Sequence, residues 1–415
     1  MEMQYVTLVI LIVYVLYHIK DDNIFRPDTI FVLVILGSMA ITGVKIAAYQ
    51  SNYSWWYYLV LYIAVVIFCF SYYLTKKYRK SEYQKAKRIN ERIEYNSKTM
   101  KRIITMMWLV VIGSVAIMWF SLGAPPALSL NSNRSNYFIG GFGTIYLLNT
   151  VLFALLVFDH FQKSSISNTL YYFYIGTLTI CVCLMANKYQ IFTLAVMYFT
   201  IKSLLKKGQS VKSVLKILIL VIVVFVVMYN TIYTKMYNFT GMDTIYWYGL
   251  NIPNQLAFLA QPYLYISNNF ENLYHYMCVK HHFMFGYNFL YNSTRNISLC
   301  ASIFGSKIVS YANEYGNSLQ MPAMNTGTAF LIPYRDFGIG GIFLYAMIIG
   351  VVAGKSEKRL LEKRSFLSVY IYSYVMTSVF FSFFTESFFS KPFLINIAVA
   401  IILDFLLSNK IRLTD

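Results

Sequence analysis

The sequence predicts an all-α polytopic membrane protein, a bundle of about 11 transmembrane helices with a large outer loop over it. Three observations predict this. First, 58% of the 415 residues are hydrophobic and only 13% are charged, against about 25% charged in an average soluble domain. Second, apolar runs near the length a bilayer demands recur along the chain. Third, the basic residues gather in a few loops that all fall on one side of such a bundle. A mean hydropathy of +0.53 agrees. The 38 Tyr include many near the ends of apolar runs, where amphipathic rings settle at the membrane interface.

The runs lie at residues 3–19, 29–47, 55–74, 104–122, 143–158, 169–186, 189–205, 215–234, 336–353, 366–385 and 393–409. The first lacks a basic leader and a small-residue cleavage site, so it reads as a retained helix rather than a signal peptide. Pro125-Pro126 end the fourth, because proline cannot continue the hydrogen-bond ladder. Gly140, Gly141 and Gly143 allow close backbone approach before the fifth. The whole of 1–415 reads as a single transmembrane domain.

Loop charge orients the bundle. Residues 75–103 carry eleven Lys/Arg against Glu82, Glu91 and Glu94, a formal +8. Lys202, Lys206, Lys207, Lys212 and Lys216 add +5. Residues 355–364, KSEKRLLEKR, add +3, and the tail with Lys410, Arg412 and Asp415 adds +1. These four segments account for +17 of a net +18. The basic balance is therefore a topology signal with scope for anionic-lipid contact, and it excludes a nucleic-acid reading. The basic side is the cytoplasm, which puts the N-terminus outside and the C-terminus inside. The 75–103 stretch is a basic cytoplasmic loop or an amphipathic surface helix.

Two outer loops follow from this orientation. One spans residues 121–143, with Arg134 as its lone charge. The other, residues 235–333, is long, aromatic and not low in complexity, so it reads as a folded cap over the outer mouth. Short helices are expected in it at 255–265 and 299–311. Long ordered loops are more often functional than decorative.

The motif search excludes as much as it finds. There is no Walker loop, dinucleotide fingerprint, HExxH or aspartate-rich metal motif, and the Asp-Phe-Gly at 336–338 lacks any kinase context. Five Cys form an odd set. Cys69, Cys181 and Cys183 lie in apolar runs as packing residues, without the partners a zinc site needs. Cys278 and Cys300 share the outer loop, so a disulfide between them is open. No metal and no cofactor is expected.

The stretch 325–350, NTGTAFLIPYRDFGIGGIFLYAMIIG, stands out. It carries Arg335 and Asp336 at the threshold of a charge-free run, where charge is expensive and therefore suspect. On the outer side Lys45, Arg134, Lys188, Lys235, Lys280, Arg295, Lys307, Arg335 and Lys391 oppose Glu2, Asp243, Glu271, Glu314, Asp336 and Glu386. Arginine grips phosphate oxygens in a bidentate way. An outward cavity with a few arginines therefore suits a lipid-linked diphosphate and its departing charge. Each candidate has a plain alternative. Arg134 could cap a helix, Arg335 and Asp336 could pair at the surface, Arg295 could be solvated, and Lys188 could snorkel. His275, His281 and His282 could supply a general base, a role histidine often fills, but fit a loop surface equally. Glu271, Glu314 and Glu386 are competing bases, and Asp404 reads as a helix-packing partner.

Five segments in order resemble the Wzy-type oligosaccharide repeat-unit polymerases of bacterial surface polysaccharide synthesis. They are GAPPALSLNSNRSNYFIGGFG, LAQPYLYISNNFENL, FMFGYNFLYNS, NTGTAFLIPYRDFGIGG and the glycine-rich helix that follows. The arginine-x10-glycine motifs of some members are absent, since Ile145 and Ser306 stand at that spacing from Arg134 and Arg295. The resemblance implies a GT-C-like polymerase/ligase bundle in the bacterial plasma membrane. It also implies transfer of a growing glycan from one undecaprenyl diphosphate to the next lipid-linked unit. In these terms Arg134, Arg295, Arg335, Lys188, Tyr334 and Asn325 would hold the substrate and its diphosphate. Asp336, Glu314, His281 or His282 would orient or deprotonate the acceptor hydroxyl. Membrane lipids, and a chain-length regulator and flippase of the same pathway, are the partners implied. An O-antigen ligase, a lipid-linked-glycan flippase or transporter, and a structural or sensory membrane protein are the rival classes.

Overall fold

The structure is a computed structural model. It describes residues 3–18, 25–76, 95–129, 137–162, 165–206, 234–279, 282–294 and 326–408, with a few isolated positions between 223 and 302. In chain order the helices are α1 (Met3–His18), α2 (Pro27–Gly43), α3 (Trp55–Lys76), α4 (Ser97–Leu122), α5 (Pro126–Ser129), α6 (Phe142–Tyr146), α7 (Asn149–Gln162), α8 (Asn168–Leu184) and α9 (Lys188–Leu205). They continue as α10 (Thr234–Tyr237), α11 (Gly241–Tyr248), α12 (Ala260–Cys278), α13 (Tyr287–Thr294), α14 (Leu331–Glu362), α15 (Phe366–Phe380) and α16 (Lys391–Ser408). The described residues form no sheet, only an isolated antiparallel bridge between Ala47 and Leu250. Among the described residues five helical stretches are long and apolar enough to cross a membrane: Trp55–Lys76, Ser97–Ser129, Phe142–Gln162, Leu331–Glu362 and Phe366–Phe383.

Each predicted run other than 215–234 is occupied by helix. That run, and the expected helix at 299–311, lie almost wholly outside the described residues. Several boundaries differ, and the helix expected at 104–122 starts at Ser97. The run at 143–158 is broken into α6 and α7. The helix expected at 336–353 starts earlier and continues through the basic KSEKRLLE segment to Glu362.

The chain divides into two compact units. The first contains Met1–Lys77, Thr240–Lys355 and Ser378–Leu394. Here α2 is packed by α1, α3 and α12. Phe31 of α2 stacks on Phe68 of α3 with ring centroids 3.9 Å apart. Glycines bring α14 against α3: a Cβ on Gly350 would sit 2.5 Å from the Phe68 carbonyl oxygen, and one on Gly354 2.6 Å from that of Tyr72. Small residues four apart permit such backbone contact, the usual device for packing helices in lipid.

Part of the segment read from sequence as an outer loop, residues 235–333, is helical. The 3₁₀ turn Asn254–Leu259 and α12 replace the short helix expected at 255–265. α12 buries polar side chains, including Asn268, Asn269, Glu271 and Asn272. Glu271 accepts hydrogen bonds from the Tyr53 hydroxyl at 2.6 Å and the Ser51 amide at 3.1 Å. Tyr57 donates to the Phe270 carbonyl at 2.9 Å. Asn272 donates to the Thr326 carbonyl, and Thr326 donates to Asn269, each at 2.7 Å. Buried polar groups are tolerated when bonded, and these bonds fix α12 across the start of α3 and the approach to α14.

The second unit contains Tyr78–Phe239, Ser356–Thr377 and Ile395–Asp415. Its centre is α7, buried from Asn149 to Asp159. Trp108 of α4 stacks on Tyr174 of α8 and donates to Thr177 at 2.8 Å. Asp404 accepts from the Tyr95 hydroxyl at 3.1 Å and the Leu367 amide at 3.2 Å, which is the packing role expected of it.

Candidate functional site

The first unit holds the site, at a break in α14. Phe337 and Gly338 leave helical geometry, with φ −141° and ψ 16° at the first and φ 63° and ψ −151° at the second. Gly338 thus occupies backbone space that favours glycine, and a Cβ there would press on the Phe283 ring at 3.0 Å. A Cβ on Gly341 would lie 2.1 Å from the Pro333 carbonyl oxygen, so the turn after the break needs glycine as well. The break releases carbonyls from the helix ladder. Those of Arg335 and Asp336 accept the Met284 amide at 3.1 Å and the Phe285 amide at 3.0 Å.

Asp336 is fully buried and serves the start of α13. Its Oδ1 accepts the Asn288 amide at 3.1 Å and the Asn288 side-chain Nδ2 at 2.9 Å. Its Oδ2 accepts the Phe289 amide at 3.2 Å. An N-terminal turn has unmatched N–H donors, and here a carboxylate from a distant helix supplies the cap. Gly286, at φ +91°, makes the turn into α13.

Arg335 is half-buried. Its guanidinium carbon lies 5.7 Å from the Tyr276 ring centroid, and Nη2 is 3.8 Å from the Met284 sulfur. Asp336 therefore engages α13 while Arg335 turns to an aromatic wall, and the two are not a simple surface pair. Tyr334 is buried edge-on to Tyr276 and Phe283, at 6.1 and 6.5 Å. Exposed His282 lies two residues before Met284. His275 is in the last turn of α12.

A second carboxylate joins this centre. Glu386 sits in the turn after the 3₁₀ segment Phe381–Phe383, 7% exposed. Its Oε1 accepts the Phe389 amide at 2.9 Å and the Tyr345 hydroxyl of α14 at 3.3 Å. The Phe289 ring stacks on Tyr345 and meets Phe389 edge-on at 5.3 Å. Burial pushes the Glu386 carboxyl up to about 7, against the opposing pull of the Phe389 and Phe388 amides and the Tyr345 hydroxyl. Burial also raises the Glu271 carboxyl, and its neighbours Tyr53 and Ser51 oppose that shift.

Tyr334, Arg335 and Asp336 are thus gathered at one break, with His282 close in the chain. Lys188 is buried at the first turn of α9 in the other unit. Arg134, Arg295, Glu314, His281 and Asn325 lie outside the described residues, as does Cys300; Cys278 is an exposed free thiol. Among the described residues no group of three His, Cys, Asp or Glu could hold a metal ion. Sequence reasoning did not foresee Asn288 and Tyr345. The FGYNF segment, a glycine turn before a polar residue, carried a faint signal for the first, and nothing in an apolar helix marked the second.

The fold and this centre define a class, an all-α membrane-embedded protein with a polar site at a broken apolar helix. Comparison with family models, curated proteins and solved structures finds no match for this chain.

Proposed function

We propose that this chain is a metal-independent polysaccharide polymerase of the bacterial plasma membrane, an eleven-span GT-C-like bundle with its N-terminus outside and its C-terminus in the cytoplasm. It extends a glycan by moving it from undecaprenyl diphosphate to the next lipid-linked repeat unit. The observation that supports this reading most directly is the setting of Arg335. A guanidinium held beside a tyrosine ring at a helix break is oriented and partly desolvated, which strengthens its hold on an oxyanion. Arg335 would grip the diphosphate, with Arg295 as a further contact and Asn325 and Tyr334 shaping the cradle. Asp336, with Glu314, His281 and His282, completes the set of acidic and imidazole groups assigned to the acceptor side. The firmly bonded α12 supports a cap that excludes water while charge develops on the leaving group.

The test is reconstitution in proteoliposomes with lipid-linked repeat units, chelator present and no nucleotide sugar. A ladder of polymer supports the reading. Arg335→Ala should abolish the ladder and leave single units on lipid, and normal chain length in that variant refutes the role given to Arg335. Transfer to a lipid A core acceptor without a ladder identifies a ligase. Movement of the lipid-linked unit across the bilayer without transfer identifies a flippase.

A further inference from the structure

The second unit holds a polar centre that the proposed reaction does not use. Asn187 caps α9, its Oδ1 accepting the Gln190 amide at 3.4 Å. A backbone N–H can only donate, so the other end of the Asn187 amide is its Nδ2 donor. Gln190 Oε1 accepts that Nδ2 at 3.4 Å and the Tyr146 hydroxyl at 2.7 Å. Gln190 Nε2 in turn donates to Asn149 Oδ1 at 2.6 Å, an oxygen that also accepts the Thr150 hydroxyl at 3.1 Å. The backbone thus sets the polarity of the whole relay, and the relay ends on a donor. Asn149 Nδ2 meets no acceptor among the described residues, although Asn149 is only 1% exposed. A buried donor without a partner is costly, and this one lies beside the first turn of α9.

The setting adds charge and an apolar groove. α7 and α9 run side by side in one direction, joined at their first turns by the Asn149–Gln190 bond and further along by the Phe161 and Tyr198 rings at 5.8 Å. Lys188, in the first turn of α9, is buried. A helix start with a lysine favours an anion. The carboxylate of α7, Asp159, is at the opposite end of that helix, where it accepts the Ser165 amide at 2.9 Å. Nearby, α5 and α8 enclose an open groove of about 590 Å³ lined by Leu128, Gly176, Ile180, Cys183 and Leu184. Thr179 also lines it, but its hydroxyl is turned back to the Ile175 carbonyl at 2.9 Å. The α8 residues of the lining form one stripe at helical spacing, about 12 Å long, that runs toward the end of α8. Asn187 follows Leu184 by three residues, and such a stretch spans at most about 11 Å.

We infer that this unit seats one anionic phospholipid of the bilayer, with an acyl chain in the α5–α8 groove and its phosphate at Asn149 and Lys188. An apolar groove alone would take any hydrocarbon, and the donors alone any anion. Placed within reach of each other they fit an amphiphile with an anionic head. The groove is in the range of a pocket for one small ligand, about 300–1,000 Å³, which suits one acyl chain and not an undecaprenyl chain several times longer. The phosphate gives the Asn149 amide the acceptor it lacks among the described residues. The seat is independent of the reaction assigned to the first unit.

The experiment titrates the delipidated full chain in detergent with phosphatidylglycerol, with phosphatidylcholine of the same acyl chains, or with undecaprenyl phosphate, and counts bound lipid by native mass spectrometry. Wild type should bind one phosphatidylglycerol in preference to phosphatidylcholine. Lys188→Met and Asn149→Ala should each weaken that binding about tenfold, the loss expected for one hydrogen bond to a charged group. Gly176→Phe fills the groove. A Cβ at Gly176 meets nothing within 4 Å, so this variant should keep the wild-type melting temperature while its phosphatidylglycerol binding falls at least tenfold. Gly113→Phe, at an equally open glycine outside the groove lining, should bind as wild type does. Gly176→Phe decides the matter should the variants of buried residues fail to fold. Wild-type affinity in Gly176→Phe overturns the groove assignment. Unaltered affinity in both Lys188→Met and Asn149→Ala overturns the phosphate assignment and leaves a buried water at the amide. Undecaprenyl phosphate displacing phosphatidylglycerol at lower concentration overturns the bilayer lipid as occupant and gives the seat to a lipid carrier.

Discussion

Replacing Asp336 by alanine tests the construction of the site without reference to any reaction. The carboxylate accepts three hydrogen bonds at 2.9 to 3.2 Å, two of them from backbone amides at the start of α13. Losing a helix cap costs about 0.5–2 kcal/mol. A buried donor left without a partner costs about 1–3 kcal/mol. These figures overlap, since the orphaned donors are the lost cap, so the docking of α13 should weaken by about 2–4 kcal/mol. α13 has eight residues, too few to hold helical form alone. Hydrogen exchange of the purified protein in detergent should therefore quicken by about one and a half to three decades across residues 287–294, at about 1.4 kcal/mol per decade. Exchange in α3 should not change. Asp336→Asn should fall between, because it keeps one acceptor oxygen but turns an amide group toward the Phe289 N–H. Unchanged protection of α13 in the alanine variant would refute the claim that this carboxylate carries the helix.

Two further tests concern energetics. The Glu386 carboxyl is raised from 4.5 to about 7, so between these values the folded chain binds the extra proton and stability falls as pH rises. At about 1.4 kcal/mol per unit this amounts to about 3 kcal/mol lost by pH 8. Glu386→Gln should therefore raise the melting temperature at pH 8 relative to wild type and change it little at pH 4.5; an offset equal at both pH values would contradict the burial argument. At the α3–α14 contact, Gly350→Leu forces a side chain into the Phe68 backbone, and overpacking of this kind costs about 1–3 kcal/mol or more. A lowered denaturation midpoint is the expected result, while Gly340→Ala, with open space around its Cβ position, serves as the tolerant control.

Much of the helical layout was legible because it rests on local quantities. An apolar run of bilayer length marks a helix whatever lies beside it, which is why α3 and α15 start where the runs that announced them start. Boundaries strayed where local rules conflict with packing. The basic residues 355–362 read as loop by charge, yet they extend α14, since Lys, Glu, Arg and Leu are strong helix formers. The segment 235–333 read as an outer loop with a short helix at 255–265, not as α12, whose buried Asn and Glu residues look like loop composition. Such residues enter an interior only when partners exist, and Tyr53, Ser51 and Thr326 are far from them in sequence.

At the site, charge beside an apolar run was enough to single out Arg335 and Asp336 from residue type alone. Their different occupations were not legible, because neighbours in a chain diverge once a helix breaks between a ring wall and a cap. Composition and spacing by themselves fixed the membrane class, the positions of most helices and the suspicion attached to that pair. Tertiary structure decided which donors each carboxylate meets, because a hydrogen bond depends on separation in space, and contacts such as Tyr345 to Glu386 join residues that no local pattern relates.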